Sequence, residues 1–188
     1  LLALKDGTMG WELAGFACER GSTREAPAPS PGGRVKARDA AHRVAKRFGV
    51  KFASRVQVQS WQGDAGRTLY LLDVRSREEY ERGHVSGSRH AAGGQVVQAA
   101  DEYVGVRNAR VVLIDPERVR SVMTASWLHQ MGWNEVYVLE PEGEDGFAGW
   151  ELEHGPRVRS IPGFRPWQTI TADTLESQLP LGETAVVD

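Results

Sequence analysis

The stretch from Arg110 to Glu140, RVVLIDPERVRSVMTASWLHQMGWNEVYVLE, constrains the fold more than any other part of this chain. Its apolar β-branched run, Val111 to Ile114, has the pattern of a strand buried on both faces. Ser121 to Met131 follows with helical spacing and is stopped by Gly132, and EVYVLE then supplies another strand. The alternation continues across the chain through LYLLD, REEYERG, QVVQAADEYV, RVVLID, SVMTASWLHQM and EVYVLE. The expected fold is therefore α/β, a doubly wound and mostly parallel sheet with helices on both faces.

Between strand and helix lies a tight loop, Pro116 to Arg120. Such a loop aims backbone N–H groups and the positive end of a helix dipole at its centre, which makes it a cradle for an anion. Chemistry there calls for a thiolate, a hydroxyl or a bound ion. The residue supplied at the strand end is Asp115, whose carboxylate is a weak nucleophile, expected to be held by Arg118 and Arg120.

Upstream, Thr68 to Ala91 (TLYLLDVRSREEYERGHVSGSRHA) follows the same plan: a strand ending at Asp73, then a short helix. Ser76 and Glu79 form a capping box, Gly83 ends the helix, and His84 to Ser88 turns the chain onward. DVRSREEYERGHVSGS, the strand-loop-helix around Asp115 and the closing EVYVLE together resemble a rhodanese homology domain, the sulfurtransferase module, over roughly Ser54 to Gly155. The resemblance implies that the position of Asp115 belongs to a persulfide-carrying cysteine. It also implies that Arg120 and Ser121 match the Arg-Ser found five and six positions further on in active members. Phosphatases sharing the fold space their cysteine and arginine one residue further apart, so the resemblance implies the shorter, sulfur-transferring spacing for Asp115 and Arg120. Two further departures accompany Asp115: Pro116 removes a backbone donor from the loop, and Glu117 adds a negative charge. The domain thus resembles an inactive rhodanese. Asp73 and Arg75 match a pair at the end of the first strand and are expected to form a hydrogen-bonded brace, with His84 a structural residue of the turn; none of the three is expected to be catalytic.

Net charge is −2, which leaves no overall basic footprint for nucleic acid. The single cysteine, Cys18, lies outside the loop, with no strand before it, and is expected to be an incidental thiol. The five histidines, His42, His84, His90, His129 and His154, form no metal-binding pattern, and no cofactor is expected. Val35 to Phe48 is expected to be an amphipathic helix: Val35, Ala40, Ala41, Val44, Ala45 and Phe48 make its apolar face, while Lys36, Arg38, Arg43, Lys46 and Arg47 cluster on the exposed side, read as a solvated face in preference to a nucleic-acid or membrane stripe. Trp127, Met131 and Trp133 suggest either an aromatic binding surface or packing of the second helix on the sheet, and packing is the expected role.

Gly10-Trp11-Glu12-Leu13 recurs as Gly149-Trp150-Glu151-Leu152, and Thr171 opens a capped helix, ADTLESQL, followed by the strand TAVVD, on the plan of Ser54 to Asp73. The expected organisation is a C-terminal tail of a preceding repeat (1–20), a linker (21–34), a complete domain with its leading helix (35–155), a second linker (156–170) and the start of a following repeat (171–188). The chain opens without methionine and stops inside a strand-like run, as a fragment of a tandem protein would. The resemblance implies a parent thiosulfate sulfurtransferase that moves sulfane sulfur through a cysteine on another repeat, the repeat here being structural or regulatory. The alternative is a rhodanese-fold binding module without sulfur chemistry. Expected partners are neighbouring repeats of the same parent and, at the loop, small sulfur-containing anions, with no nucleic acid and no membrane; the expected location is cytoplasmic.

Overall fold

Val111, Val112, Leu113 and Ile114 are all buried, yet they face two different cores. Side chains alternate across a strand. Val111 and Leu113 point into one cluster with Leu72, Val136 and Val138, while Val112 and Ile114 point into the other with Leu71 and Leu139. Complete burial of a side chain of this size contributes about 1.5–3 kcal/mol, so this strand is the spine of both cores.

The computed structural model describes residues 2–21, 27–157 and 169–182. In chain order the elements are α1 (Gly7–Leu13), α2 (Pro31–Phe48), β1 (Lys51–Ala53), α3 (Arg55–Gln62), β2 (Leu69–Asp73), α4 (Arg77–Arg82), β3 (His84–Val85), β4 (Arg89–His90), α5 (Gly93–Gln98), α6 (Ala100–Tyr103), β5 (Arg110–Ile114), α7 (Val119–Gln130), β6 (Val136–Leu139), β7 (Leu152–Glu153) and α8 (Ala172–Gln178). The central sheet runs β1-β6-β5-β2-β4 with every pairing parallel. Helices α2, α5, α6 and α7 contribute Ala41, Ala45, Val96, Ala100, Val122, Ala125 and Leu128 to one face. The other face is covered by Val58 of α3, by Val85 of β3 and by Phe147, with Trp61 and Trp150 packed against them. The α/β fold read from the sequence is the fold observed, with a parallel sheet and helices on both faces.

Several elements differ from expectation, each for a local reason. Helix α2 begins at Pro31 rather than Val35, because Ser30 accepts the Gly33 N–H at 3.1 Å and proline sits comfortably in the first turn. Residues 31–34 of the expected linker are therefore helical, residues 22–26 of it lie outside the described residues, and Val35 is exposed. Helix α7 begins at Val119, two residues before the expected Ser121, and the loop is correspondingly tighter. Strands β1, β3, β4 and β7 are two or three residues long, too short for a period to show. The turn read at His84 to Ser88 contains β3, which pairs antiparallel with β7. Trp133 packs against the core as expected, but Trp127 and Met131 are exposed at 53% and 51%. Trp127 lies on the outer side of α7 and Met131 just past its end, while the inner side already carries Val122, Ala125 and Leu128.

The two Gly-Trp-Glu-Leu copies take different conformations. Gly10 to Leu13 is helical in α1, whereas Leu152 is in β7 and Trp150 packs on the core. Pairing with β3 holds the second copy extended. Thr171 caps α8 through its Oγ1, which accepts the Thr174 N–H at 3.2 Å, but the strand expected at 184–188 and residues 158–168 of the second linker lie outside the described residues.

Candidate functional site

The C-terminal edge of a parallel sheet is where ligand sites of such folds form, and here β5 delivers Asp115 to it almost wholly buried. Arg118 adopts the left-handed conformation, φ 56°, and caps α7 without any side-chain hydrogen bond of its own. That leaves the first N–H groups of α7 in need of acceptors. Asp115 supplies them. Its Oδ2 accepts the Arg120 N–H at 2.8 Å and the Ser121 N–H at 3.4 Å, and its Oδ1 accepts the Glu117 N–H at 3.3 Å. The carbonyl of the same residue accepts the Arg118 N–H at 2.9 Å. A carboxylate at this place also meets the positive end of the α7 dipole. The Asp115 side chain thus occupies the loop and takes up its N–H groups.

Of the two arginines expected to hold Asp115, the structure brings one. Arg120 Nη2 lies 3.4 Å from Asp115 Oδ1; Arg118 forms no ion pair among the described residues. The stronger partner of Arg120 is Glu79, bound through both guanidinium nitrogens at 2.5 and 3.0 Å. The Arg120 guanidinium holds the Glu79 carboxyl down at about 2, and Glu79 in turn raises Arg120. Glu79 also completes the capping box of α4, accepting the Ser76 N–H at 2.9 Å. One carboxylate therefore joins the start of α4 to the start of α7. The capping box was legible in the sequence; the link to Arg120 was not.

Glu117, read as a charge opposing anions in the loop, is turned instead toward α2. Arg38 Nε donates to its Oε2 at 2.7 Å and Arg34 lies 3.7 Å from Oε1. Neither arginine was singled out as a site residue, because nothing local marks a pairing across 79 positions. Pro116 has no N–H to offer the cradle and packs under the loop after β6. A Cβ at Gly146, which has φ 82°, would come within 2.6 Å of Pro116 Cβ, so glycine is required there on both counts. Val119 packs against the core, and Ser121 is fully buried with its hydroxyl unpartnered among the described residues.

At the end of β2, Arg75 grips Asp73 through Nε at 2.9 Å and Nη2 at 2.6 Å, and Nη2 also donates to the Gly83 carbonyl at 2.7 Å. The Arg75 guanidinium lies over the Phe147 ring at 4.9 Å. Phe147 is another contributor that the sequence did not reveal. His84 is buried, stacked on Tyr80, and donates from Nδ1 to the Tyr80 carbonyl at 2.9 Å. Burial raises the Tyr80 phenol above its ordinary range. Cys18 lies in the segment before α2 and belongs to neither strand end.

In chemical terms the loop holds a buried carboxylate that accepts the backbone N–H groups around it. No group of three or more candidate metal ligands exists among the described residues, and no described helix is long and apolar enough to cross a membrane.

Residues 54–153 match the rhodanese-like domain family. The chain is 44% identical to thiosulfate sulfurtransferase from Pseudomonas aeruginosa and superposes on its crystal structure with a TM-score of 0.71. That similarity covers 93% of this chain and 32% of the Pseudomonas chain. A candidate sulfur carrier protein of Bacillus subtilis (strain 168), YrkF, is 33% identical over 82 residues, which are 44% of this chain and 43% of that protein. The chain therefore matches about a third of one relative's length and less than half of the other's.

Proposed function

Since this chain belongs to the rhodanese-like domain family, we propose that it contributes a non-catalytic repeat to a longer tandem sulfurtransferase, in which sulfane sulfur travels through a cysteine persulfide on another repeat. One observation carries the proposal. The position that would hold the sulfur is occupied by the Asp115 carboxylate, which takes up the N–H groups of Glu117, Arg120 and Ser121. A persulfide needs a thiolate sulfur at that place, and the sole cysteine of the sequence is Cys18. The capping interactions give Asp115 a structural role, securing the first turn of α7 against the end of β5. Sulfur chemistry for the parent is supported by the names of the two relatives, one a thiosulfate sulfurtransferase and the other a candidate sulfur carrier. The Thr171-capped helix, built on the same plan as the Ser54-capped α3, supports the tandem arrangement.

Thiocyanate formation from thiosulfate and cyanide tests the proposal. The 188-residue chain should stay at the no-enzyme blank, and its Cys18→Ser variant should be indistinguishable from it. Turnover above the blank that survives Cys18→Ser would overturn the assignment of a non-catalytic repeat.

A further inference from the structure

Helix α2 is made of two unlike halves. In its second half Ala41 and Ala45 are core residues and Val44 packs against them. In its first two turns, residues 31–38, no side chain is fully buried and only Ala37 is half-buried. They open on Gly32 and Gly33, poor helix formers that lose much backbone entropy on ordering. What ties these turns to the rest of the domain is a single residue. Glu117 receives Arg38 Nε at 2.7 Å and Nη2 at 2.5 Å, and Arg34, one turn earlier on the same side, lies 3.7 Å from it. Among the described residues no other side chain outside the helix forms an ion pair with this segment. Below it, in place of packed side chains, lies a cavity of about 350 Å³, with Pro29, Arg34 and Ala37 on one wall and Glu79, Val119 and Arg120 on the other. Glu117 itself is well placed to anchor, because its backbone N–H is bonded to Asp115.

From this arrangement we infer that residues 31–38 form a strap, fastened by Glu117 across the mouth of the Asp115 loop, that detaches while the rest of the domain stays folded. Detachment widens the cavity and exposes Val119 and the remainder of Arg120, whose side chain is already 41% exposed. Both arginines and Glu117 are partly exposed, and ion pairs of that kind are individually weak and sensitive to salt. The second half of α2, held by burial on α7, has no such release. The inference does not depend on whether the parent moves sulfur, so the two stand or fall separately.

Residue-resolved amide hydrogen exchange on the 188-residue chain provides the test. Amides of residues 34–38 should exchange faster than those of 42–48 in the unsubstituted protein. Glu117→Ala should accelerate the first group by about three- to tenfold, as expected for losing two exposed ion pairs, and leave the second group and β5 unchanged. Combined Arg34→Gln and Arg38→Gln should do the same, with no added effect on top of Glu117→Ala. Equal protection of the two halves without substitution, or an equal change along the whole helix in Glu117→Ala, would overturn the strap. Should Glu117→Ala prove too unstable to measure, sodium chloride added to the unsubstituted chain serves instead. Selective acceleration of 34–38 supports the strap, and salt-independent exchange there refutes it.

Discussion

Two strands of the central sheet end on a buried aspartate at the same edge, and the two aspartates are held differently. Asp73 at the end of β2 is gripped by Arg75 in three contacts of 2.6 to 3.1 Å, and that arginine is nearly buried, closed off by the Gly83 carbonyl and the Phe147 ring. Asp115 at the end of β5 lies 3.4 Å from an arginine whose better partner is Glu79, and its main ligands are backbone N–H groups. The first end is a closed brace between side chains. The second is a helix cap built inside an anion cradle. Both are strand-to-helix turns with acid and base close in sequence, so what separates structure from chemistry is which donors face the acid: a guanidinium makes a brace, whereas convergent N–H groups make a place for an anion.

The brace should be the costlier of the two to break. Arg75→Ala leaves Asp73 buried without its counter-charge and should lower unfolding stability by about 3–5 kcal/mol, read from chemical denaturation or as failure to fold. A loss no greater than that of a surface substitution would erase the distinction drawn between the two strand ends.

Converting the second end into a sulfur site sharpens the comparison from the chemical side. Asp115→Cys alone should form thiocyanate slowly, because Pro116 still withholds one donor, and a missing donor in an oxyanion site costs ~3 kcal/mol, about a hundredfold in rate. Adding Pro116→Ala and Glu117→Ala returns that N–H and keeps the Cβ that meets Gly146, so the triple variant should be clearly faster. Equal rates for the single and triple variants would mean that the nucleophile was all the loop lacked.

A smaller effect comes from acid. Glu79 is held down from an ordinary 4.5 to about 2, chiefly by Arg120. A carboxyl depressed on folding adds stability that is complete above its unfolded value and is lost as pH falls through the folded one. The pair is partly exposed, which keeps the contribution under ~1 kcal/mol. Denaturation curves of the parent and Glu79→Gln should therefore differ at neutral pH and converge as the pH drops from about 4.5 toward about 2. A difference that is unchanged across that window would remove Glu79 from the coupling of α4 to α7.

Much of this was legible along the chain because it is local. The run Val111 to Ile114 marked the central strand, Ser76 and Glu79 marked a helix start, and Asp73 with Arg75 marked a brace, each within a few residues. What escaped was carried over distance or over too few residues. Glu79 meets Arg120 across 41 positions and Arg38 meets Glu117 across 79, and neither pairing leaves a trace in spacing. The sequence places the start of α7 two residues late, because the acceptor for its first N–H groups is Asp115, four residues before the first helical position, and not the side chain of the N-cap residue Arg118. Trp127 and Met131 looked like core residues by type, but the inner side of α7 was already filled by smaller apolar side chains.

The Asp115 carboxylate accepts the N–H groups of Glu117, Arg120 and Ser121, and on the proposed reading it thereby excludes an anion from the loop. Asp115→Ala empties it, at a cost of about 1–2 kcal/mol for the lost cap. Thiosulfate titrated into both proteins at constant ionic strength, with the amide signals of Glu117, Arg120 and Ser121 followed by NMR, tests the claim most directly. Those three amides should shift saturably in Asp115→Ala, with thermal stability recovered as the anion replaces the carboxylate, and should not respond in the unsubstituted chain. Saturable thiosulfate binding at the same amides with Asp115 in place would contradict that exclusion.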